Sequence, residues 1–459
     1  MSYHPDSLAG KDVSYTIHPF TNLALHEEKG PLIMSRGEGV YLYDEQGKRY
    51  LEGVAGLWCT GLGFSEPRLV EAAHRQMQTL PYSHTFAHRS TPPVIELAER
   101  LVGLAPAGLS KVFFMNSGSE ANDTAIKFVW YYHNAIGRPE KKKIIARERG
   151  YHGVTIASGS LTGLPTVHAA FDLPIARILH TDSCCPYRDR HPGESEPDFV
   201  ARLASNLEAL IQREGPDTIG AFIAEPVMGA GGVVIPPEGY FQAIQPILKK
   251  HDILMIADEV ICGFGRTGNF WGCQTYGIAP DILTCAKQLT SAYFPMSAML
   301  VSEPIFQAMR EMSARQGVLG MGYTYGGHPV AAAVALEVLK IYEERDIVGH
   351  VRRLAPGFGE RLAGFADHPL VGNARSVGLI GALEIVADKT TGERYPAGFK
   401  MAAQVAAHAQ QRGLVVRPLS GDIIGICPPL IITEAQLDEL FGILGESLDA
   451  AWQDRQAAG

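Results

Sequence analysis

The sequence predicts an α/β protein with a large domain on a mostly parallel, helix-covered sheet, followed by a smaller α+β domain. Three observations carry this. From about Gly61 to Tyr325, short apolar runs alternate with amphipathic stretches, the order that builds a parallel sheet. After His328-Pro329 the texture changes to one long helix and then mixed short elements. Two apolar runs end abruptly on charges, 253–257 on Asp258 and Glu259, and 281–286 on Lys287. An acid and a lysine at the ends of buried strands mark a site, not a solvated edge.

Taken in order, the opening arm to about Gly37 is polar and irregular. Residues 40–53 then alternate around Glu45-Gln46-Gly47, a hairpin signal. Strands are predicted over 111–116, 143–147, 219–225, 253–259 and 297–302, with helices such as 94–104 and 240–250 between them. Residues 330–344 read as a helix, 376–386 as a strand and 400–412 as a helix, while 415–418 and 423–427 are extended. Thr433 and Gln436 have capping-box spacing at the start of a final helix. The predicted division is an arm and hairpin over 1–60 that packs with the small domain, a large domain over 61–327 and a small domain over 328–459.

A chain of 459 residues exceeds one simple core, and a net charge of −9 with near-zero mean hydropathy fits a soluble protein. Apart from Lys141-Lys142-Lys143, basic residues form no runs, which argues against nucleic-acid binding. No apolar segment approaches spanning length, and the N-terminus lacks a secretory pattern. The seven cysteines show no C-x-x-C pair, so no zinc or disulfide framework is expected, and a cytoplasmic enzyme without a metal fits.

Burial disfavours a charged amine, so Lys287 can act as a nucleophile toward a carbonyl. A carboxylate at a neighbouring strand end, Asp258, is the partner that a pyridinium nitrogen needs. Together they read as a pyridoxal-phosphate site. The stretch between them holds a decoy: Gly263-Phe264-Gly265-Arg266-Thr267-Gly268 matches G-x-G-x-x-G. A dinucleotide fingerprint must open a helix, whereas Asn269-Phe270-Trp271-Gly272 follows here, so a tight loop is the better reading. Asn116-Ser117-Gly118-Ser119-Glu120 closes an apolar strand and opens a long helix, whose first-turn amides make an anion site. Alone, this would pass for an ordinary helix cap.

The stretch from Leu254 to Lys287 strongly resembles the signature of class III aminotransferases, of the aspartate-aminotransferase-like fold (fold type I). Over nearly the whole chain the resemblance is nearest to the amine:pyruvate (omega) transaminase branch. It implies that Lys287 bonds the cofactor and later moves the proton, while Asp258 keeps the pyridine nitrogen protonated. Gly118 and Ser119 would contact the phosphate, as in the family's SGSEA motif. Tyr151, in Tyr151-His152-Gly153, would stack on one ring face, with Val260 on the other and His152 structural. Glu225 would sit near the cofactor's oxygen side, although a strand-end acid is more often exposed. Thr324, in Gly322-Tyr323-Thr324, would reach the phosphate bound in the partner, making a homodimer with shared sites.

The same resemblance places Trp58, Phe20 and a rim with Phe86, the rim coming from the partner chain, around an apolar cavity with Tyr151. Arg417 would bind the carboxylate of a 2-oxo acid, for which a guanidinium fork is suited. The implied reaction moves an amino group from a small-molecule donor, a primary amine or omega-amino acid, to a 2-oxo acid acceptor, pyruvate being the one expected. Two departures stand out: Gln288-Leu289 where many relatives have glycine after the lysine, and Ala87 where close relatives carry an aromatic. An aminomutase and a decarboxylating aminotransferase would use the same cofactor residues. A cofactor-binding regulator fused to a DNA-binding module is disfavoured by a chain that starts almost directly at the enzyme-like arm.

Overall fold

The computed structural model describes residues 3–396 and 398–457. Met34–Glu38 (β1), Tyr41–Asp44 (β2) and Arg49–Glu52 (β3) form an antiparallel ladder. Asp44 closes the β2–β3 turn. Its Oδ1 accepts from the Gln46 and Lys48 amides, and its Oδ2 accepts the Tyr50 hydroxyl. The predicted hairpin is therefore present. The arm before it is not irregular: helices Leu8–Tyr15 and Leu23–Lys29 are capped by Ser7, which accepts from the Gly10 amide, and Asn22, which accepts from the Leu25 amide. Side-chain caps at Ser and Asn stabilise short helices that composition alone hides.

The central sheet has seven strands: β4 (Leu109–Met115), β5 (Lys143–Arg147), β6 (Ile178–Thr181), β7 (Ile219–Ala224), β8 (Leu254–Asp258), β9 (Ile282–Cys285) and β10 (Ser297–Ser302). Their order is β4-β10-β9-β8-β7-β5-β6. Every pairing from β9 to β6 is parallel, while β10 runs antiparallel to both β9 and β4. The chain between β9 and β10 explains this: a single 3₁₀ turn, Lys287–Thr290, and a few residues are too short for a parallel crossover. Alternate residues feed two cores. Ile144, Ala221, Ile223 and Ile256 join the layer containing helix Gly118–Ala135, and Ile145, Phe222, Met255 and Ala257 join the other. Both faces are covered, so the central strands β7, β8 and β9 are almost wholly apolar.

The remaining strands are β11 (Val371–Val377), β12 (Ile380–Ile385), β13 (Leu414–Val415), β14 (Arg417–Leu419) and β15 (Ile423–Ile426). An antiparallel sheet has the order β11-β12-β15-β14. Residues 376–386 are thus not one strand but parts of a hairpin that reverses at Gly378. This glycine has φ +57°, and a Cβ there would meet the Arg266 carbonyl. β13 instead pairs in parallel with β3, so N- and C-terminal segments share a sheet. The final helix, Glu434–Ala457, opens on the predicted box: Gln436 N donates to Thr433 Oγ1 and Thr433 N to Gln436 Oε1. Among the described residues no helix is long and apolar enough to cross a membrane.

Candidate active site

The carboxyl ends of β5, β7, β8 and β9 surround one cavity of about 330 Å³, the position where open α/β sheets take ligands. Gly118, Ser119, Tyr151, Glu225, Asp258, Val260 and Lys287 all line it, although they are spread over 170 positions of sequence from Gly118 to Lys287. These are seven of the residues that the sequence singled out, and they share one cavity.

Asp258 ends β8 and is buried. Its Oδ2 accepts from Asn122 Nδ2 at 2.8 Å and lies 2.8 Å from His152 Nδ1, and its Oδ1 accepts from the Val260 amide at 3.1 Å. Asn122 is itself fixed, donating to the His152 carbonyl at 2.7 Å and accepting from Thr284 Oγ1 at 2.9 Å. The carboxylate is therefore aimed by a helix, a loop and a neighbouring strand at once. His152, expected to be purely structural, is one of the three groups that orient it. Its Nε2 is buried with no hydrogen-bond partner.

Lys287 follows β9 and opens onto the cavity, with a left-handed backbone at φ +47°. Non-glycine residues seldom hold that conformation, and it concentrates at functional sites. Burial holds the amine below the ordinary lysine value, against the opposing charge of Asp258. The departure at Gln288 has a role in this turn. Its Nε2 donates to the Gly263 carbonyl at 3.0 Å, which ties the segment behind Lys287 to the decoy glycine loop. That loop opens no helix. It instead carries the fully buried Arg266, whose Nη1 donates to the carbonyls of Leu379 and Pro428.

Glu225 is buried, not exposed: Oε1 accepts from the Tyr151 amide and Oε2 from the Gly229 amide, both at 2.9 Å. Burial pushes its carboxyl up. Glu225 thus fixes the backbone that carries Tyr151. At the other end, Ser117 Oγ accepts from the Glu120 amide, but the Glu120 carboxylate takes the Asn116 amide at 2.7 Å, so the box is only half formed. Gly118 has no room for a side chain without crowding Val260, with 3.1 Å to Cγ1, and Gly153, at φ +136°, would meet Ser119 Oγ.

Five expected residues are not among those that line this cavity. Trp58 is buried in the apolar cluster that includes Ile261, and Ile261 and Cys59 do line the cavity. Phe20 is exposed on the arm, away from the cavity. Phe86 is exposed and packs on Gly322, beside Val318 and Leu319. Thr324 is exposed, its carbonyl accepting the Tyr82 hydroxyl. A single chain does not bring these last three to the site. Arg417, on β14, is half-buried, and its charge acts on both Tyr151 and Lys287. No carboxylate lies within salt-bridge distance of it among the described residues.

These groups fit pyridoxal phosphate. A lone amine of depressed basicity can bond an aldehyde, a braced carboxylate can hold a pyridinium proton, and a capped helix start with a side-chain-free Gly118 can take a phosphate. Fold and site together define a pyridoxal-phosphate-dependent transferase of fold type I. The protein-family model Aminotransferase class-III matches residues 24–448. Gamma aminobutyrate transaminase 1, mitochondrial, of Solanum lycopersicum is 51% identical over 433 residues, covering 94% of this chain and 84% of the relative. The corresponding enzyme of Oryza sativa subsp. japonica is also 51% identical, over 435 residues, covering 94% and 84%. The omega transaminase from Pseudomonas jessenii in complex with PMP superposes with a TM-score of 0.97 at 51% identity, covering 99% of this chain and 100% of that one. The chain belongs to the class-III aminotransferases, enzymes that transfer amino groups with pyridoxal phosphate.

Proposed function

We propose that this aminotransferase takes the amino group of a primary amine or omega-amino acid and delivers it to pyruvate, in two half-reactions at one cavity. The observation that carries this reading is Arg417, a half-buried guanidinium whose charge acts on Tyr151 and Lys287, with no carboxylate within salt-bridge distance among the described residues. A partly desolvated cation without a salt-bridge partner suits a ligand carboxylate. The names of the plant relatives point to an omega-amino acid donor, and that of the bacterial neighbour to omega transamination.

When bound, pyridoxal phosphate supplies the electron sink and stores the amino group between the halves. Asp258 Oδ2, aimed by Asn122 and His152, would hold the proton at the pyridine nitrogen. Lys287 Nζ, whose basicity burial lowers, would take the proton from the amine-bearing carbon and later return one. Tyr151 and Val260 would pack against the ring, and Gly118 and Ser119 would receive the phosphate.

We read the exposed positions of Phe20, Phe86 and Thr324 as the marks of a homodimer in which the partner completes the rim and phosphate site. Seven free cysteines, six of them buried, support a reducing compartment, the cytoplasm in our reading. The test is a donor panel of gamma-aminobutyrate, a diamine and an arylalkyl amine, each with pyruvate, followed by alanine detection. Alanine should form with at least one of them. Turnover with 2-oxoglutarate as acceptor, and none with pyruvate for any donor, would refute the acceptor assignment.

A further inference from the structure

We propose that Asp12, His18 and His26 form a binding site for one divalent ion of the zinc class, which clamps the N-terminal arm. The site lies outside the catalytic cavity and does not depend on the amine:pyruvate reading. Its three residues come from separate pieces of the arm: helix Leu8–Tyr15, the loop after it, and helix Leu23–Lys29. His18 Nε2 and His26 Nε2 lie 2.8 and 3.0 Å from the same oxygen, Asp12 Oδ2. Their rings pack at 4.0 Å between centroids, tilted by 33°. One ligand-capable atom from each residue lies within 4.8 Å of the others, and no other such group of three occurs among the described residues. The site is empty.

The same three atoms satisfy two chemistries. Without metal, one carboxylate oxygen is hydrogen-bonded to both imidazole Nε2 atoms. With metal, each ring carries its proton on Nδ1, so that both Nε2 lone pairs and the carboxylate oxygen face the ion. Zinc holds nitrogen and oxygen ligands at about 2.0–2.1 Å, which puts neighbouring ligand atoms roughly 3.3 Å apart in a tetrahedron. The two histidine–carboxylate separations need open by only about half an ångström or less to reach that value. Two imidazoles and one carboxylate suit zinc, nickel or copper, whereas magnesium and calcium demand mostly oxygen ligands. The side chains are 23%, 30% and 10% exposed, so the ion can enter and a water can fill the fourth position.

The loop closed by the ion carries Phe20, which is 69% exposed and has φ +51°. A clamp across Asp12 and His26 would hold this strained, apolar turn in one place. The arm would then be ordered by metal and not by a core, since Gly10 is the only buried residue in its two helices.

The experiment uses tag-free, cofactor-loaded enzyme stripped of metals by chelator and dialysis. Zinc chloride is titrated by calorimetry into the wild type and into His18→Ala and His26→Gln. One zinc per chain should bind to the wild type. Losing an outer partner of a metal site already costs about 10–100-fold in affinity, so losing a direct ligand should weaken binding by about a hundredfold or more. Zinc should also slow proteolysis of the arm in the wild type but not in His18→Ala. Absence of zinc binding, equal binding by wild type and both variants, or equal binding of magnesium would each overturn the proposal.

Discussion

Replacing Arg417 by alanine separates the two half-reactions. With no carboxylate among the described residues paired to the guanidinium, its removal strands no buried acid there and should leave the fold intact. A small uncharged amine offers it nothing, so the donor half should change by less than about threefold, within the range of ordinary surface substitutions. The 2-oxo acid loses a charge-assisted, potentially bidentate contact in a partly desolvated place. Such losses cost about 2–5 kcal/mol, much of it from the ligand charge left unpaired. At 1.4 kcal/mol per decade, the acceptor half should slow by roughly 30-fold to several thousandfold. Single-turnover absorbance of the bound cofactor follows each half separately, with an arylalkyl amine for one and pyruvate for the other. Equal losses in the two halves would show that Arg417 supports Tyr151 or the fold, and would refute its role as reader of the carboxylate.

Lys287→Ala should abolish both turnover and the cofactor adduct trapped by borohydride, and mass mapping of an adduct to another lysine would defeat the assignment. Mixing Lys287→Ala chains with Thr324→Ala chains should raise activity above either parent if the partner supplies Thr324, because one hybrid site then has both native residues; no gain on mixing would refute shared sites. Burial pushes the Glu259 carboxyl, which accepts from the Gly272 and Cys273 amides, from 4.5 up to about 7. The folded chain therefore holds a proton there that the unfolded chain has lost. Its contribution is complete below about pH 4.5 and is lost as pH rises toward 7. Glu259→Gln should flatten the fall of the urea midpoint across that window, and an unchanged slope would mean that the group titrates normally.

How much of this was legible depended on whether a residue's meaning was local. Strands β5, β7, β8 and β10 were found almost to the residue because they are continuous apolar runs with polar ends, the pattern of strands buried on both faces. β6, only four residues with a histidine inside, gave too weak a signal. Lys287 and Asp258 were visible because a charge at the end of such a run needs a reason. Asn122 and Thr284 were invisible: each is one polar residue inside a helix or strand, and each acquires a role only when β9 brings them together. Arg266 hid inside a glycine motif whose apparent purpose was something else. The arm's caps were readable in principle at Ser7 and Asn22, but a polar composition drew attention away from them. Phe20, Phe86 and Thr324 are exposed in the single chain, and their expected roles rest on the proposed dimer.

The parallel pairing of β13 with β3 has a consequence for biosynthesis. Leu51 is registered against Leu414, and Arg417 lies just beyond this junction, on the following strand. A ribosome makes β3 hundreds of residues before its neighbour exists, so the sheet can be finished only when the last part of the chain emerges. Contacts of such separation form late, and until then β3 presents an unpaired edge to the cell. Lys287 and Asp258 can be in place well before that moment. Arg417 cannot, so if it reads the acceptor as proposed, the choice of 2-oxo acid is the last property this enzyme acquires as it is born.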